Sequence, residues 1–336
     1  MAGVNQKIRK VDYNSVQSDI DSILGTGTSN FGYGQPVLSN QVDESNSVTV
    51  NEYAALRFDI INAYKHLFNS LPPDVDAQTI GATVRFDSAP PDAAPIGYWA
   101  SVVNSISTNR LALAVSGQRV TVNHGTTNFS SAWGSSAPLG SPSPQLSCQV
   151  DVEWTTSEQA RHFFNAGGSI QFTSTRTGGS SSAQNTSWTT LLSTAGTRIF
   201  GGNTPGTGTT PSNGQNWFRA RSTADAWSTS TASSPYALNE FKITVQTNDS
   251  PTVSSNSAGS SRKLRFVLYW LDNHFPLGGD SDSGTPIQSG PLGPDTVDGT
   301  ISLTVQTVKA SGVLEPTASG NFEVSTPTVT IGSIVN

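Results

Sequence analysis

Apolar residues recur at three- and four-residue intervals through the first third of the chain, and at every second position through most of the remainder. The first regime predicts helices and the second predicts strands. In Asp12–Leu24, one helical face carries Tyr13, Val16, Ile20, Ile23 and Leu24. Asp12 is the expected N-cap and Gly25 the expected residue just past the C-terminus. A second stripe follows a Gly/Asn/Ser-rich loop and consists of Tyr53, Leu56, Ile60, Tyr64, Leu67 and Phe68. Thr49 and Glu52 have capping-box spacing at its start, and Pro72 and Pro73 are expected to stop it. These two stripes predict an antiparallel helical pair, too small to bury both its faces alone. Trp99, Val102, Val103, Ile106 and Leu111 predict a third helix, reached through the proline-stiffened link APPDAAP.

Beyond the Gly/Ser/Pro-rich stretch WGSSAPLGSPSP the period changes to two. Leu146, Cys148, Val150, Val152 and Trp154 alternate with polar residues, as in a half-buried strand. In SEQARHFFNAGGSIQF, Thr155 or Thr156 is positioned to cap a short helix with Glu158 in its first turn. Ala160, Phe163 and Phe164 give that helix its apolar side, and Gly167 is the left-handed terminator that lets the chain reverse into a strand through Ile170 and Phe172. Further alternating runs are FKITVQT, GTISLTVQTV and TPTVTIGSIV, with a short helix near SWTTLLSTAG. KLRFVLYWLD is apolar on both parities and reads as a central strand buried on both faces. The chain is therefore expected to be mainly β with a helical N-terminal part: an antiparallel β-sandwich with short inserted helices, preceded by a helical hairpin. The expected division is a helical attachment module over residues 1–85, a helix and Pro/Gly/Ser-rich connector over 86–141, and the sandwich over 142–336.

Composition narrows the setting. Charged residues make up 12% of the 336 positions, about half the usual share, and Ser, Thr, Gly and Asn fill the difference. Such a surface fits extracellular or virion β-proteins better than cytosolic enzymes. The net charge of -6 argues against a nucleic-acid partner, whose phosphates require a basic surface. The short basic cluster Lys7, Arg9 and Lys10 reads as a solvated or partner-facing arm. A single cysteine, Cys148, permits no intrachain disulfide and suggests synthesis in a reducing cytosol. The opening MAGVNQKIRK has no apolar core of a secretory signal, and no run of ~18 apolar residues predicts a membrane helix. A virion protein assembled in host cytoplasm and exposed later satisfies both facts. Two linker-like loops, GGNTPGTGTTPSNGQ and GGDSDSGTPIQSGPLGPD, hold few apolar side chains of their own. Ordering them costs ~1–2 kcal/mol per residue, so contacts at subunit interfaces are their expected support.

Candidate chemistry is sparse. The four histidines, His66, His124, His162 and His274, are scattered, and no nucleophile elbow, zinc helix, phosphate loop or paired-cysteine motif occurs. Asp280 and Asp282 lack the glycine and glutamate spacing of an EF-hand loop and read as a solvated turn. Asp151, Glu153, Glu158 and Asp272 are the carboxylates a polysaccharide-cleaving enzyme could pair, although no motif selects them. No catalytic, metal or cofactor residue is assigned. His162 reads as structural or interfacial. Trp133, Trp188, Trp217 and Trp227 lie in polar surroundings and would either be buried, anchor an interface, or stack on sugars. The candidate interface residues are Lys7, Arg9, Lys10, Tyr13, Phe31, Tyr33 and those four tryptophans.

Four segments carry a family resemblance: YNSVQSDIDSILGTGTSNFGYGQ, ARHFFNAGGSIQF, the ITVQTND run and VDGTISLTVQTVKASG. Together they resemble virion structural proteins of tailed phages, especially the large marine and cyanobacterial myoviruses. The resemblance implies a non-enzymatic part of the tail, neck, baseplate or fibre, oligomeric and in contact with other virion proteins. It implies no catalytic residues, no cofactor and no membrane or nucleic-acid partner. A carbohydrate-binding adhesin touching host surface glycan and a head-decoration protein are the alternatives.

Overall fold

The helical stripes and the alternating runs form two packed parts. A computed structural model describes residues 10–25, 32–43, 48–72, 96–110, 119–134, 145–201, 224–230, 236, 239–247, 261–272, 296–313 and 321–336. The helices of the first part are α1 (Lys10–Leu24), α2 (Val50–Phe68) and α3 (Ile96–Asn109). Tyr13, Val16, Ile20, Ile23 and Leu24 of α1 are all buried, as the spacing predicted. In α2 the inner positions Tyr53, Leu56, Ile60 and Leu67 are buried, whereas Phe68 is 38% exposed. Thr49 and Glu52 close the expected capping box. Asp12 lies in the first turn of α1 rather than at its cap, because the helix already includes Lys10. Asn69, in the left-handed conformation, ends α2 before the prolines are reached.

The direction of the helices departs from the sequence reading. The Tyr13 hydroxyl, near the start of α1, donates to the Glu52 carbonyl near the start of α2 (3.0 Å). Tyr53 and Trp99, each early in its helix, stack at 4.2 Å. At the opposite ends, Tyr33 receives all three helices: its N–H donates to the Ile23 carbonyl, its ring meets His66 edge-on at 4.9 Å, and its hydroxyl donates to the Arg110 carbonyl at 2.6 Å. The three helices thus run in the same direction, not as an antiparallel pair. The chain returns from the end of α1 to the start of α2 through residues 32–43, and that segment is an ordered strap. Side chains supply its hydrogen bonds. Asn14 donates to the Val42 carbonyl and accepts from the Val42 N–H, Gln17 donates to the Ser39 carbonyl, and Asp59 accepts from Leu38 and Ser39 N–H groups.

The second part is an antiparallel β-sandwich. Its strands are β1 (Arg119–Phe129), β2 (Gln145–Glu153), β3 (Ser169–Thr177), β4 (Thr197–Gly201), β5 (Ala224–Ser230), β6 (Glu240–Thr247), β7 (Lys263–Leu271), β8 (Thr300–Val313), β9 (Asn321–Glu323) and β10 (Thr328–Ile331). One sheet has the order β1-β8-β3-β4 with β9 also on β8, and the other has the order β10-β2-β7-β6-β5. Phe172 and Phe200 of the first meet Phe266 of the second at 5.0 and 5.5 Å. The Trp270 indole N–H crosses the core to the Ser174 hydroxyl at 3.0 Å. Two helices join the sheets. α4 (Ser157–Asn165) links β2 to β3, and α5 (Ala183–Ala195) packs on β3 and reaches β5 and β6.

Two strand expectations are corrected. β7 is central, between β2 and β6, but only one of its faces is fully buried. Leu264, Phe266, Leu268 and Trp270 point inward, while Arg265, Val267, Tyr269 and Leu271 lie half-buried on an outer face that carries the Asp151–Arg265 and Glu153–Lys263 ion pairs. A two-layer sandwich has no third layer to cover that side. β1, in a stretch read as connector, pairs with β8 along its length. The alternation is faint there because β1 is an edge strand.

Gly34 is the position where backbone geometry governs the contact between the two parts. Its φ is +68°, and a Cβ there would lie 2.0 Å from Nδ1 of His162 on α4. Gly34→Ala is expected to cost about 2–4 kcal/mol from overpacking and left-handed strain. Adding His162→Ala should restore the steric share in urea unfolding; equal stability of the single and double variants would show that the imidazole does not pack there.

Candidate functional site

The residues that sequence marked for chemistry converge on structural contacts. α4 is capped as expected: the Thr156 hydroxyl accepts from Gln159 N–H, and Glu158 lies in the first turn. Phe163 and Phe164 are fully buried and pack around Trp154 at 5.3 and 5.4 Å. Gly167 has a φ of +86°, and a Cβ on Gly168 would fall 2.4 Å from the Phe163 carbonyl oxygen. The double glycine therefore answers two needs, a left-handed turn and a close backbone approach.

The opposite side of α4 grips the strap. The Asn165 amide donates to the Gly32 carbonyl at 3.1 Å, and His162 covers Gly34. Gly34 and Gln35 N–H groups cap the Gly25 and Leu24 carbonyls at the end of α1. This junction of α1, α2, α3, the strap and α4 concentrates the buried titratable groups. Burial pushes His66 down to about 3, against an opposing hydrogen-bonding contribution from the Ala166 backbone. His162 is lowered by burial and by neighbouring Arg161. Asp59 is raised by burial, despite the two strap N–H groups that it accepts from.

A second polar cluster, which no motif flagged, ties the sheet to α5. Asp298 accepts from the Ser180 N–H and hydroxyl, from the Arg176 guanidinium and from the Asn185 amide. These donors, led by the Ser180 backbone, hold Asp298 below the usual carboxylate range. Every partner is internal, so the cluster is a brace between the β3–α5 turn and the start of β8. An aspartate followed by a glycine was the available signal in VDGT; it is too common to have been decisive.

The remaining candidates are distributed. Cys148 is buried, its thiol directed at the Gly332 carbonyl (3.3 Å) and pushed up by burial to about 11. His124 bonds the Thr307 hydroxyl at 2.8 Å beside the β1 bulge. Asp151 pairs with Arg265, Glu153 with Arg262 and Lys263, and Asp272 accepts from Gln184. Among the described residues no three His, Cys, Asp or Glu side chains converge on a metal position.

Of the candidate interface residues, Tyr13, Tyr33, Trp133, Trp188 and Trp227 are buried within the chain and present no stacking face. Trp133 packs on Trp188 at 5.0 Å, and Arg198 covers Trp227 at 4.1 Å. Their rings find apolar and aromatic neighbours inside the chain, which is the physical reason they are buried. Lys10 opens α1 and is half-buried. Lys7, Arg9, Phe31, Trp217, His274, Asp280, Asp282 and both linker-like loops, apart from Gly201 at the end of β4, lie outside the described residues. No protein-family model, curated protein or solved structure matches this chain.

The sign of the His66 shift fixes a pH response. The unfolded chain takes up a proton near pH 6.5, the folded chain only near 3, so folding stability falls as pH falls through that window. The expected slope from this residue is about 1.4 kcal/mol per pH unit. Denaturant midpoints measured from pH 7 to 4.5 should decline, and His66→Gln should flatten the decline. An unchanged slope in that variant would place the proton uptake elsewhere.

Proposed function

We propose that the chain is a non-enzymatic structural protein of a phage virion, tail-associated, in which the helical part docks to the particle and the sandwich makes subunit contacts. One observation carries the reading. Two segments of the phage resemblance, NFGYGQ and ARHFFNAGG, lie more than a hundred positions apart, yet they touch through Asn165 on Gly32 and His162 on Gly34. Two of the four segments that carry the resemblance therefore meet at one structural joint. The histidines His66, His124 and His162 and the sole cysteine support the same reading, because they are occupied in packing and internal contacts rather than gathered at a cleft.

The roles of the two parts follow from their build. The helical part is small and has exposed apolar residues at Val11, Val50, Phe68 and Leu71. Covering them on a neighbour would stabilise an assembly by roughly 25 cal/mol per Å² of apolar surface. The sandwich has a filled core and an outer face of paired charges. In this reading the partners are other virion proteins and further copies of the chain.

Mass spectrometry of purified particles is expected to find the protein in stoichiometric amount, and gold labelling should mark the tail. Label confined to the head would replace this reading with head decoration. A chain beginning at Arg119 retains every strand of both sheets. It is expected to remain soluble but to be missing from particles; normal incorporation would move attachment to the sandwich.

A further inference from the structure

β1 is the longest of the four strands that end the two sheets. It has 11 residues, against 5 in β4, 7 in β5 and 4 in β10. The other edges are protected in ordinary ways. β4 and β10 are short, and Arg198 of β4 lies over Trp227 of β5. β1 is long, and from Val120 to Ser130 it holds no Lys, Arg, Asp, Glu or Pro, the residues that ordinarily keep such an edge from pairing. Its inward side chains are also incompletely covered. Val122, Thr127 and Phe129 stand opposite the buried Thr307, Leu303 and Ile301 of β8, yet they are themselves only half-buried, and Val120 is 41% exposed. β10, which touches β1 from the other sheet, repeats this with half-buried Val329 and Ile331. The seam between the sheets is therefore apolar and open on this side. Among the described residues, β8 is the only strand paired with β1.

We propose that β1 pairs antiparallel with β1 of a second copy of the chain, about a two-fold axis at its bulge. The pattern of the strand is what selects a copy of itself. The bulge between Asn123 and Gly125 inserts one residue, His124, and so reverses side-chain parity along β1. Val120 and Val122 face inward before it, and Thr127 and Phe129 face inward after it. Rotation about the bulge sets Val120 opposite Phe129 of the second copy and Val122 opposite Thr127, each pair occurring twice, as an isologous contact requires. On the outer face Thr121 meets Asn128 and Asn123 meets Thr126, all four exposed. Every inward residue thus meets an inward one, and no like charges are opposed between Val120 and Ser130. Without the inserted residue, the same rotation would set inward side chains against outward ones. The pairing supplies partners for the free backbone edge and brings the open seam of each copy against that of the other. The inference rests on the proposed function only in taking the sandwich as the part that meets further copies.

The test uses the full chain in solution. Sedimentation equilibrium is expected to show a monomer–dimer equilibrium. Thr121→Glu combined with Asn128→Glu opposes like charges twice across the axis and should raise the dissociation constant about ten-fold. Thr121→Lys combined with Asn128→Glu opposes unlike charges at the same places and should bring the constant back to within about three-fold of the unaltered chain. Both positions are exposed, so each subunit should keep its fold, which circular dichroism checks. Thr121→Cys combined with Asn128→Cys should cross-link two chains on oxidation, whereas neither single variant should. A chain that stays monomeric to about 1 mM overturns the pairing. So does a dimer equally strong in both charged variants, or a double cysteine variant that forms no cross-link. None of these results bears on the place of the protein in a virion, which the composition of purified particles decides.

Discussion

Burial of Tyr33 with its hydroxyl satisfied is the constraint on which the joint depends. The residue has no exposed surface, and its hydroxyl has one short hydrogen bond, to the Arg110 carbonyl. That carbonyl lies just past α3, where a helix leaves its last carbonyls without internal partners. The Tyr33 N–H performs the same service for Ile23 at the end of α1. One residue thus closes two helix ends and gives His66 an aromatic edge to pack on. Parallel helices create this situation. Their C-terminal ends gather on one side, and a strap entering there can cap several at once. An antiparallel pair would have placed one N-terminus among them, with donors facing donors.

The strap explains why the helices can be parallel at all. Antiparallel neighbours need only a short turn, whereas parallel ones need a return path about as long as a helix. Residues 32–43 provide it, running back along α1 from Ile23, which Tyr33 meets, to Asn14, which Val42 meets. A return without regular secondary structure has no hydrogen-bond ladder of its own, and buried backbone groups must be paired. Asn14, Gln17 and Asp59 meet that demand from the flanking helices. Asn14 uses both its carbonyl and its amide on Val42, as a neighbouring strand would. Asp59 is the costly member, since its carboxylate is fully buried and held above its ordinary range. Two N–H donors from adjacent strap residues offset part of that cost.

The sequence was legible wherever one element's own period carried the information. The stripes of α1 to α3, the Thr49–Glu52 box, the cap and terminator of α4 and the inner face of β2 were all readable because they are local. Helix direction was not, since two apolar stripes look the same whichever way their helices run. The strap was not, because its hydrogen-bonding partners are polar residues on helices, which pattern analysis assigns to solvent. β7 was misread in part for a related reason. Val267, Tyr269 and Leu271 are apolar, but half-burial by neighbouring strands accommodates them without a covering layer. The tryptophans illustrate the converse. Polar sequence surroundings left burial, an interface and sugar stacking all open, while Trp133 and Trp188 fill the sandwich against each other from positions 55 residues apart. No local window contains that pairing.

The two polar braces differ in a way that bears on what each can do. At Asp298 the carboxylate accepts from a guanidinium, an amide, a hydroxyl and a backbone N–H, and two left-handed glycines, Gly179 and Gly299, admit the close approach. Such a network fixes geometry. At α4 the contacts are divided between two neighbours. One side of the helix is committed to the core through Phe163 and Phe164, which pack on Trp154, and the other holds the strap through Asn165 on Gly32 and His162 over Gly34. A change at α4 therefore acts on the joint between the two parts directly, whereas a change at Asp298 acts within the sandwich, between the β3–α5 turn and the start of β8.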